Sequence, residues 1–542
     1  MKNKKNIYIL GLMSPLTNNQ HDSACTLIKN GKVICSFEEE RFSRYKHALG
    51  TLPIKSITES LRFASISIKD IHSVFVSSEI DNTLKTRVEL YFKHYFGHSP
   101  KVYLINHQLC HMASAYYQSN FDKSLVVSLD GFGDNLSCSI GVGYKNKIKI
   151  LKTKNISQSL GIFYQTLTQY MGFGGIGDEY KVMGLSAYGK PNDKLDLSKI
   201  IKISKYDYKI NPKYLYRNPK QRNLFEPRYG NFLIKLLGQP RLPGQKISNK
   251  IKDLAYAVQN SFELALFSLI RWGVKKTKLR KLSLAGGCAL NCLANMKLLE
   301  NKIVDDLFVQ PAATDQGTSL GAAIIGSIKQ KQSIKVLSNY YLGKKYSKKF
   351  IKKQLDLYGI NYTKLKNPTK VLAESLKKGN VVALYQGRSE FGPRALGNRS
   401  ILANPGYKNM KNILNRKIKF REEFRPFAPV ILQDFYKDVF DMKKPSSYMT
   451  VTFRVKNDWK NRVKSITHID NTARVQTLNI RQNIFLYKLI KKFYKLTKIP
   501  LLINTSFNIK NEPIVESPQD AIRTFYSSGI DELFLDGYYC KK

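Results

Sequence analysis

Two stretches in the first half of the chain share one pattern of apolar runs and polar turns. In each, an apolar run, a polar turn, a second run, a two-residue turn and a third run follow in that order. Short apolar runs bounded by turn residues indicate strands joined as hairpins. The predicted strands are residues 7–12, 25–28 and 33–37 in the first copy and 125–129, 136–144 and 147–151 in the second. The pattern predicts a duplicated three-stranded meander.

Such a duplication, with helices between its copies, is typical of the actin-like ATPase architecture, in which a ligand lies in the cleft between two related lobes. The segment 195–250 is basic, polar and weakly periodic, which predicts a surface insertion. A Lys- and Ser-rich stretch at 333–353 interrupts the pattern. We therefore predict an α/β protein with an actin-like domain at 1–340 and a second α/β domain at 341–542.

The chain carries a formal net charge of +49, which would suit a nucleic-acid or anionic-membrane partner. Its lysines, however, are spread in pairs along the whole sequence beside many Asn and Ile, which a drift in base composition explains as well. We expect no stable nucleic-acid complex. The seven cysteines include no C-x-x-C pair, and no apolar run approaches the roughly 20 residues that cross a bilayer. These features predict a cytoplasmic protein that does not span a membrane.

His107 and His111 stand four residues apart, so on a helix both rings lie on one face. Asp130 ends an apolar run and opens a glycine-rich turn, and Asp315 stands in a similar place after residues 307–311. Carboxylates at strand ends often face a cleft. Two imidazoles and two carboxylates predict a metal site, although such a histidine pair also occurs as ordinary half-buried packing.

Two glycine-rich stretches suggest contacts with an anion. Gly286 and Gly287 follow the predicted strand 282–285 and precede a helix with Asn291, a geometry in which backbone N–H groups approach an anion. Residues 172–189 contain six glycines together with Lys181. This second stretch suits either a nucleotide phosphate or a tight loop without a ligand.

Arginine is concentrated in the second predicted domain of a chain that otherwise prefers lysine. Guanidinium groups grip phosphate or carboxylate oxygens at two points, which an ammonium group cannot do. The glycines and prolines between these arginines argue against a plain solvated helix face. An oxyanion pocket is therefore predicted from Arg388, Arg394, Arg399, Arg421, Arg425 and Arg474.

Long motifs in order along nearly the whole chain resemble the O-carbamoyltransferases of antibiotic and nodulation-factor biosynthesis. In the first domain they are Gln20-His21-Asp22-Ser23-Ala24, the His107 and His111 pair, Asp130-Gly131, 178–185, Gly286-Gly287 with Asn291, and 313–317. In the second they are the Arg388 to Arg399 segment, 424–429, 472–477 and 504–508. The resemblance implies a TsaD-like amino-terminal domain and a YrdC-like carboxy-terminal domain.

The resemblance also implies a reaction and roles for residues. Carbamoyl phosphate yields carbamate, which attacks ATP, accompanied by Mg²⁺, to give carbamoyl adenylate and pyrophosphate. Lys419-Phe420-Arg421 and Ser506-Phe507-Asn508 match the elements that bind the small acid and ATP. Arg421 and Arg474 are then expected to be catalytic, Arg388, Arg394, Arg399 and Arg425 to bind carbamoyl phosphate, and Lys181, Gly286, Gly287, Asn291, Lys419, Ser506 and Asn508 to bind the nucleotide.

The carbamoyl group is then expected to pass to the first domain, where a metal on His107, His111, Asp130 and Asp315 polarises it and His21 takes the proton of an acceptor hydroxyl. Mixed imidazole and carboxylate ligands suit iron, manganese or zinc. Two departures are Gln20, where a glycine usually precedes His21, and Gln108, where the motif often has another histidine.

These observations predict an ATP-dependent O-carbamoyltransferase that acts on a sugar or sugar-like metabolite, and a homodimer is one assembly that it could form. Two alternatives stay open. One is carbamoylation directed to threonine or tRNA, as relatives of the separate domains perform. The other is a basic protein that binds RNA or anionic glycolipid without turnover.

Overall fold

The structure is a computed structural model, and it describes residues 6–17, 21–174, 177–216 and 228–542. Two compact units are present. One, here called the C-terminal unit, combines Met1–Tyr8, Gln20–Ile71 and Leu337–Lys542, and the other, the central unit, combines Ile9–Asn19 and His72–Val336.

The β-strands of the described residues are short and most of them are buried. In chain order they are β1 (Tyr8–Met13), β2 (Ala24–Lys29), β3 (Lys32–Glu38), β4 (Ile71–Val76), β5 (Lys101–Leu104), β6 (Lys123–Gly133), β7 (Leu136–Tyr144), β8 (Lys147–Asn155), β9 (Ile201–Ile203), β10 (Tyr208–Ile210), β11 (Lys281–Ala285), β12 (Asp306–Val309), β13 (Thr363–Lys364), β14 (Val382–Tyr385), β15 (Arg399–Ala403), β16 (Ala428–Leu432), β17 (Thr452–Arg454), β18 (Thr472–Arg474), β19 (Gln476–Leu478), β20 (Leu501–Ser506), β21 (Glu532–Leu535) and β22 (Tyr538–Lys541).

Helices connect these strands in both units. They are α1 (Glu39–Ser43), α2 (Ile54–Ala64), α3 (Leu84–Phe96), α4 (His107–Tyr116), α5 (Leu160–Tyr170), α6 (Glu179–Leu185), α7 (Asn231–Leu237), α8 (Asn249–Thr277), α9 (Cys292–Glu300), α10 (Gln316–Lys329), α11 (Lys348–Leu357), α12 (Pro368–Lys378), α13 (Met410–Ile413), α14 (Tyr436–Val439), α15 (Asn457–Lys460), α16 (Ile484–Thr497) and α17 (Pro518–Tyr526). A π-helix at Leu414–Lys419 follows α13.

A five-stranded sheet with the order β12-β11-β6-β7-β8 forms the centre of the central unit. Strands β6, β7 and β8 are an antiparallel meander, whereas β11 runs parallel to both β6 and β12. Parallel strands need crossover helices, and α9 connects β11 to β12. Helix α10 then follows β12, and α4 precedes β6 in the chain.

The predicted duplication is confirmed by the order of elements along the chain. Strands β1, β2 and β3 are followed by the parallel pair β4 and β5, as β6, β7 and β8 are followed by the parallel pair β11 and β12. The α/β class is confirmed as well. One detail differs from the prediction, because the expected turn at Asp130 is an irregularity within β6, whose pairing with β7 shifts between Leu129 and Gly133. The turn itself lies at Asp134 and Asn135, which have positive φ angles of 51° and 61°.

The C-terminal unit contains an eight-stranded sheet with the order β13-β22-β21-β14-β15-β20-β16-β19. Side chains alternate between its faces, so Ala383 and Tyr385 of β14 join one apolar core while Val382 and Leu384 join another. The first core includes residues of α11 and α17, and the second includes residues of α12 and α16. The sheet is therefore covered on both faces.

Residues from β3 to α2 belong to the C-terminal unit through buried polar contacts. The Arg41 guanidinium donates to the carbonyl oxygen of Gly392 at 2.8 Å. Arg44 donates to the carbonyl oxygens of Ile514 at 2.7 Å and Pro513 at 2.9 Å. Contacts group residues 20–71 with residues 337–542. The domain division at residue 340 stays a prediction.

Two glycines allow close packing around α4. A Cβ atom at Gly321 of α10 would lie 1.8 Å from the carbonyl oxygen of Cys110 in α4, and one at Gly133 would lie 2.1 Å from the His107 ring. Neither approach leaves room for a methyl group. Helix α4 therefore lies close to both α10 and the end of β6.

We expect Gly321→Ala to lower the free energy of unfolding by about 1–3 kcal/mol, because the added methyl group overlaps the α4 backbone. Chemical denaturation measures the change. The matched control is Gly174→Ala in the same unit, where a Cβ atom would meet no heavy atom within 4 Å. Equal stability of the two variants would contradict the close packing of α4 and α10.

Candidate metal centre and anion site

Helix α4 begins at a capping residue that fixes the position of the histidine pair. The Asn106 side chain accepts the backbone N–H of Leu109 at 3.1 Å, which satisfies one of the free donors at the helix start. His107 and His111 follow one turn apart, and both are buried. Their ring centroids are 4.8 Å apart. The helix thus presents two imidazoles on one face, as the spacing predicted.

Two carboxylates meet these imidazoles. The Nε2 atom of His107 lies 3.6 Å from Asp130 and 3.5 Å from Asp315, and that of His111 lies 3.7 Å and 3.4 Å from the same carboxylates. One candidate ligand atom from each of the four residues lies within 4.8 Å of all the others. The four predicted ligands are therefore brought together within the central unit.

The separations suit a shared cation. Ligand atoms about 2.1 Å from one ion stand roughly 3.0–3.4 Å from their neighbours, slightly closer than the Nε2–oxygen distances of 3.4–3.7 Å. The Nε2–oxygen distances also exceed the usual 2.9 Å of a direct N–H···O hydrogen bond. Among the described residues, neither ring nitrogen of the buried His111 has a hydrogen-bond partner. These observations fit a metal ion, and the role of the four residues as its ligands stays a prediction.

The cluster concentrates opposite charges in a buried place. Burial alone would lower the pKa of His107, but Asp315 and Asp130 raise it well above its ordinary value. Burial would raise the pKa of Asp130, yet the two imidazoles hold it well below its ordinary value. The carboxylates and the imidazoles therefore favour each other's charged forms, and the two carboxylates favour a positive charge at this point.

Neighbouring groups orient the candidate ligands. His107 Nδ1 lies 3.3 Å from the carbonyl oxygen of Ser77, and with a proton on Nδ1 its Nε2 faces the carboxylates. The Asp130 carboxylate also accepts the backbone N–H of Gly287 at 2.9 Å. Asp134, whose role the sequence did not reveal, accepts the backbone N–H of His107 at 2.7 Å and the hydroxyl of Ser78 at 2.6 Å. The start of α4 is fixed in this way.

Gln108 replaces the further histidine of the family motif and has a packing role here. Its amide nitrogen donates to the carbonyl oxygen of Leu136 at 3.3 Å, and its amide oxygen accepts the hydroxyl of Ser128 at 2.6 Å. The other departure, Gln20, lies outside the described residues.

Residues predicted to bind the nucleotide in the central unit already have partners within the protein. The backbone N–H of Gly286 donates to the carbonyl oxygen of Ala313 at 2.9 Å. The Asn291 side chain caps α9 and exchanges hydrogen bonds with Gln259. Lys181 forms an ion pair with Asp178 at 2.9 Å. Nucleotide binding by Lys181, Gly286, Gly287 and Asn291 remains a prediction that would require some of these bonds to rearrange.

Two arginines of the C-terminal unit contact main-chain carbonyl groups. Arg399 is fully buried, donates to the carbonyl oxygen of Gln386 at 2.7 Å and stacks on the Tyr385 ring at 3.7 Å. Arg388 donates to the carbonyl oxygens of Gly343 at 2.9 Å and Ile34 at 3.0 Å. Binding of an oxyanion by these two residues stays a prediction, and it would require these contacts to break.

The loop between these arginines folds around an internal carboxylate. Glu390 is buried and accepts the backbone N–H groups of Leu396 at 2.7 Å and Asn398 at 2.8 Å. Arg394 lies in the same loop and is half-buried. Arg474 ends β18, opposite Thr452 of β17, and is also half-buried.

Lys419 is the centre of a second candidate site, which we call the cationic cluster and define as Lys46, Lys411, Lys419, Arg421 and Arg425. The Lys419 ammonium group is buried and donates to the backbone carbonyl of Ser506, and at 2.9 Å to both the backbone carbonyl and the side-chain oxygen of Asn508. The predicted Lys419, Ser506 and Asn508 are therefore in direct contact.

Like charges surround this ammonium group. Burial, with Arg421, Arg425 and Lys46 adding to it, holds the pKa of Lys419 well below its ordinary value. Burial and then Arg421 also lower the pKa of Lys411. Arg421 donates to the side-chain oxygen of Asn415 at 2.7 Å. Like charges gathered at a buried position favour binding of an anion.

His21 lies in the C-terminal unit, where its Nδ1 is 3.4 Å from Asp22. The same carboxylate is 3.0 Å from Nδ1 of His47, a residue that the motifs did not single out. No local signal links His47 to Asp22, because the two lie on separate turns.

Two family models match most of the chain. The carbamoyltransferase N-terminus model matches residues 93–324, and the carbamoyltransferase C-terminus model matches residues 373–542. The nodulation protein NolNO of Sinorhizobium fredii is 35% identical over 96% of this chain and 79% of that protein. The nodulation protein NolO of Bradyrhizobium diazoefficiens is 36% identical over 81% and 79% respectively. The chain belongs to the carbamoyltransferase family. It is therefore a transferase, and the predicted family is confirmed.

Among solved structures, component A of Acidaminococcus fermentans (R)-2-hydroxyglutaryl-CoA dehydratase is similar over 60% of this carbamoyltransferase and 100% of that chain, with 15% identity and a TM-score of 0.36. A full-length HypF is similar over 61% and 57%, with 15% identity and a TM-score of 0.34. At these scores the likeness supports no conclusion about the carbamoyltransferase. In the described parts of the chain, no helix combines the length and apolar character needed to cross a bilayer.

We expect His111→Ala to lose most of the bound metal, because one of four ligands disappears while two carboxylates stay buried. Elemental analysis of purified protein measures the metal-to-chain ratio and also identifies the element. His72→Ala is the control, since His72 is exposed on β4 of the same unit. A full metal content in the His111 variant would remove it from the set of ligands.

Proposed function

We propose that this carbamoyltransferase is ATP-dependent, forms carbamoyl adenylate from carbamoyl phosphate and ATP, and transfers the carbamoyl group to a hydroxyl of a sugar or sugar-like metabolite. Membership of the family supports carbamoyl transfer. The cationic cluster supports the proposed use of carbamoyl phosphate and ATP, because both substrates are polyanions.

The cationic cluster suits substrates that repel one another. Carbamate and the triphosphate are both negatively charged, and their approach is unfavourable until cations neutralise them. Lys419 is held by Ser506 and Asn508 while Arg421 and Arg425 add positive charge beside it. Guanidinium groups can grip phosphate and carboxylate oxygens at two points. The cluster therefore has the charge that an adenylate-forming site requires.

In the proposed adenylation, water first attacks the carbonyl carbon of carbamoyl phosphate and the bond from that carbon to the bridging oxygen breaks, which gives phosphate, carbamate and protons released to solvent. A carbamate oxygen then forms a bond to the α-phosphorus of ATP. The bond from that phosphorus to the bridging oxygen breaks, and pyrophosphate leaves with the electron pair, its charge shared with Mg²⁺. Arg421 and Lys419 stabilise the negative charge that develops on the phosphoryl oxygens.

The transfer step uses the candidate metal centre and His21. A metal on His107, His111, Asp130 and Asp315 would supply a Lewis acid for the carbamoyl oxygen, and iron, manganese and zinc all suit these ligands. His21 accepts the proton of the acceptor hydroxyl. The acceptor oxygen forms a bond to the carbamoyl carbon, and AMP leaves with the electron pair of the broken mixed anhydride.

We expect Arg421→Ala to lower pyrophosphate release from ATP and carbamoyl phosphate by at least about a hundredfold, because a donor to the developing charge is lost. The assay contains Mg²⁺ and no acceptor. Arg416→Ala is the matched control, since the Arg416 side chain lies nearby and is 71% exposed. Absence of pyrophosphate with the wild-type protein would overturn the proposed ATP dependence.

We expect His21→Ala to spare pyrophosphate release and to lower transfer to an alcohol by about 10²–10⁴-fold, the usual contribution of a general base. Mass spectrometry of nucleotide sugars and simple sugars incubated with the complete reaction measures transfer. A similar fall in both steps would contradict the assignment of His21 as the base. If added tRNA became the main carbamoylated species, tRNA would replace the sugar as the proposed acceptor.

A further inference from the structure

One carboxylate of the C-terminal unit lies between two imidazoles, at ion-pair distance from His21 and at hydrogen-bond distance from His47. Asp22 Oδ2 lies 3.4 Å from Nδ1 of His21, and Asp22 Oδ1 lies 3.0 Å from Nδ1 of His47. Both contacts involve Nδ1. A carboxylate that accepts the Nδ1 proton leaves Nε2 as the atom that can take up a proton from elsewhere.

Backbone contacts fix His47 beside Asp22. The N–H of Asp22 donates to the carbonyl oxygen of His47 at 2.6 Å, and the N–H of His47 donates to the carboxylate of Glu40 at 2.8 Å. Asp22, His47 and Ala48 all have left-handed backbone conformations, with φ angles of 59°, 64° and 45°. Residues other than glycine rarely adopt this conformation, and it persists where surrounding contacts enforce it. The arrangement is therefore specifically maintained.

The charges around the trio are balanced. Burial raises the pKa of Asp22, but His47 and His21 together hold it well below its ordinary value. Burial lowers the pKa of His47, yet Asp22 and then Glu40 raise it above its ordinary value against the opposing charge of Lys46. Asp22 accordingly remains a carboxylate while it contacts both rings.

We propose that His47 is a positioning residue for carbamoyl transfer, holding Asp22 so that this carboxylate orients His21 as the base. The inference rests on the proposed function, in which His21 Nε2 receives the proton as the acceptor oxygen bonds to the carbamoyl carbon and AMP departs. His47 donates to Asp22 and exchanges no proton with the substrate. Without it, Asp22 would lose the contact that fixes its second oxygen.

Two substitutions of His47 change its side chain without straining the backbone. His47→Gly removes the imidazole without backbone strain, because glycine readily adopts a positive φ angle. His47→Asn keeps a side-chain donor, and asparagine is among the residues that tolerate this conformation. The control is His468→Asn, which removes the imidazole from another histidine–aspartate pair of the unit, with Nδ1 of His468 3.3 Å from Asp470.

Two nucleophiles then distinguish the loss of a positioned base from general damage to the protein. Hydroxylamine attacks an acyl adenylate without a base, whereas the hydroxyl groups of methyl α-D-glucopyranoside need one. We expect His47→Gly to lower transfer to the glucoside by about tenfold to a hundredfold, as loss of an orienting partner usually does, with hydroxylamine transfer and pyrophosphate release unchanged. His47→Asn should recover most of the loss, and His468→Asn should match the wild type.

The tautomeric state of His21 gives an independent readout. Nitrogen-15 NMR of the eight histidines in the chain should show the His21 proton fixed on Nδ1 in the wild type and shared between both nitrogens in the glycine variant.

Different results would contradict the positioning role of His47 and the proposed function. An unchanged ratio of glucoside to hydroxylamine transfer in His47→Gly, an equal loss of both, or an unchanged NMR spectrum of His21 would overturn the positioning role alone. No pyrophosphate release by the wild-type protein would overturn the proposed function and this inference with it.

Discussion

The approach of α4 to its neighbours is the constraint on which the central unit depends. The chain has no side chain at Gly321 and Gly133, so the helix lies against α10 and against the end of β6 at distances that any Cβ atom would prevent. His107 and His111 can therefore meet carboxylates from two other elements. Packing, more than local helix propensity, brings the four side chains to one point.

The buried charged side chains of the C-terminal unit differ in the groups that surround them. Glu390 accepts backbone N–H groups through one carboxylate oxygen and Arg399 donates to backbone carbonyls, so both stabilise the fold of their loop. Burial, and then the like charges of Arg421 and Arg425, make the charged state of Lys419 unfavourable, although its ammonium group also donates to Asn508. Several cationic side chains that crowd one buried position favour a ligand of opposite sign there.

Sequence reasoning succeeded where the signal is local. Helical spacing placed His107 and His111 together, and apolar runs between turns predicted the repeated strands. It could not show that Arg388 contacts the main-chain carbonyls of Gly343 and Ile34, because a guanidinium's partners depend on tertiary contacts. His47 was missed for the same reason, since its carboxylate partner belongs to a different turn.

The membership of residues 20–71 in the C-terminal unit also escaped prediction, because Arg41 and Arg44 find their partners near residues 392 and 513–514. This arrangement has a consequence for synthesis on the ribosome. Domains usually fold as units while the chain emerges, amino terminus first. Here the contacts of Arg41 and Arg44 form only after the last third of the polypeptide has emerged, so a nascent chain halted before residue 337 would leave these two guanidinium groups without those carbonyl partners.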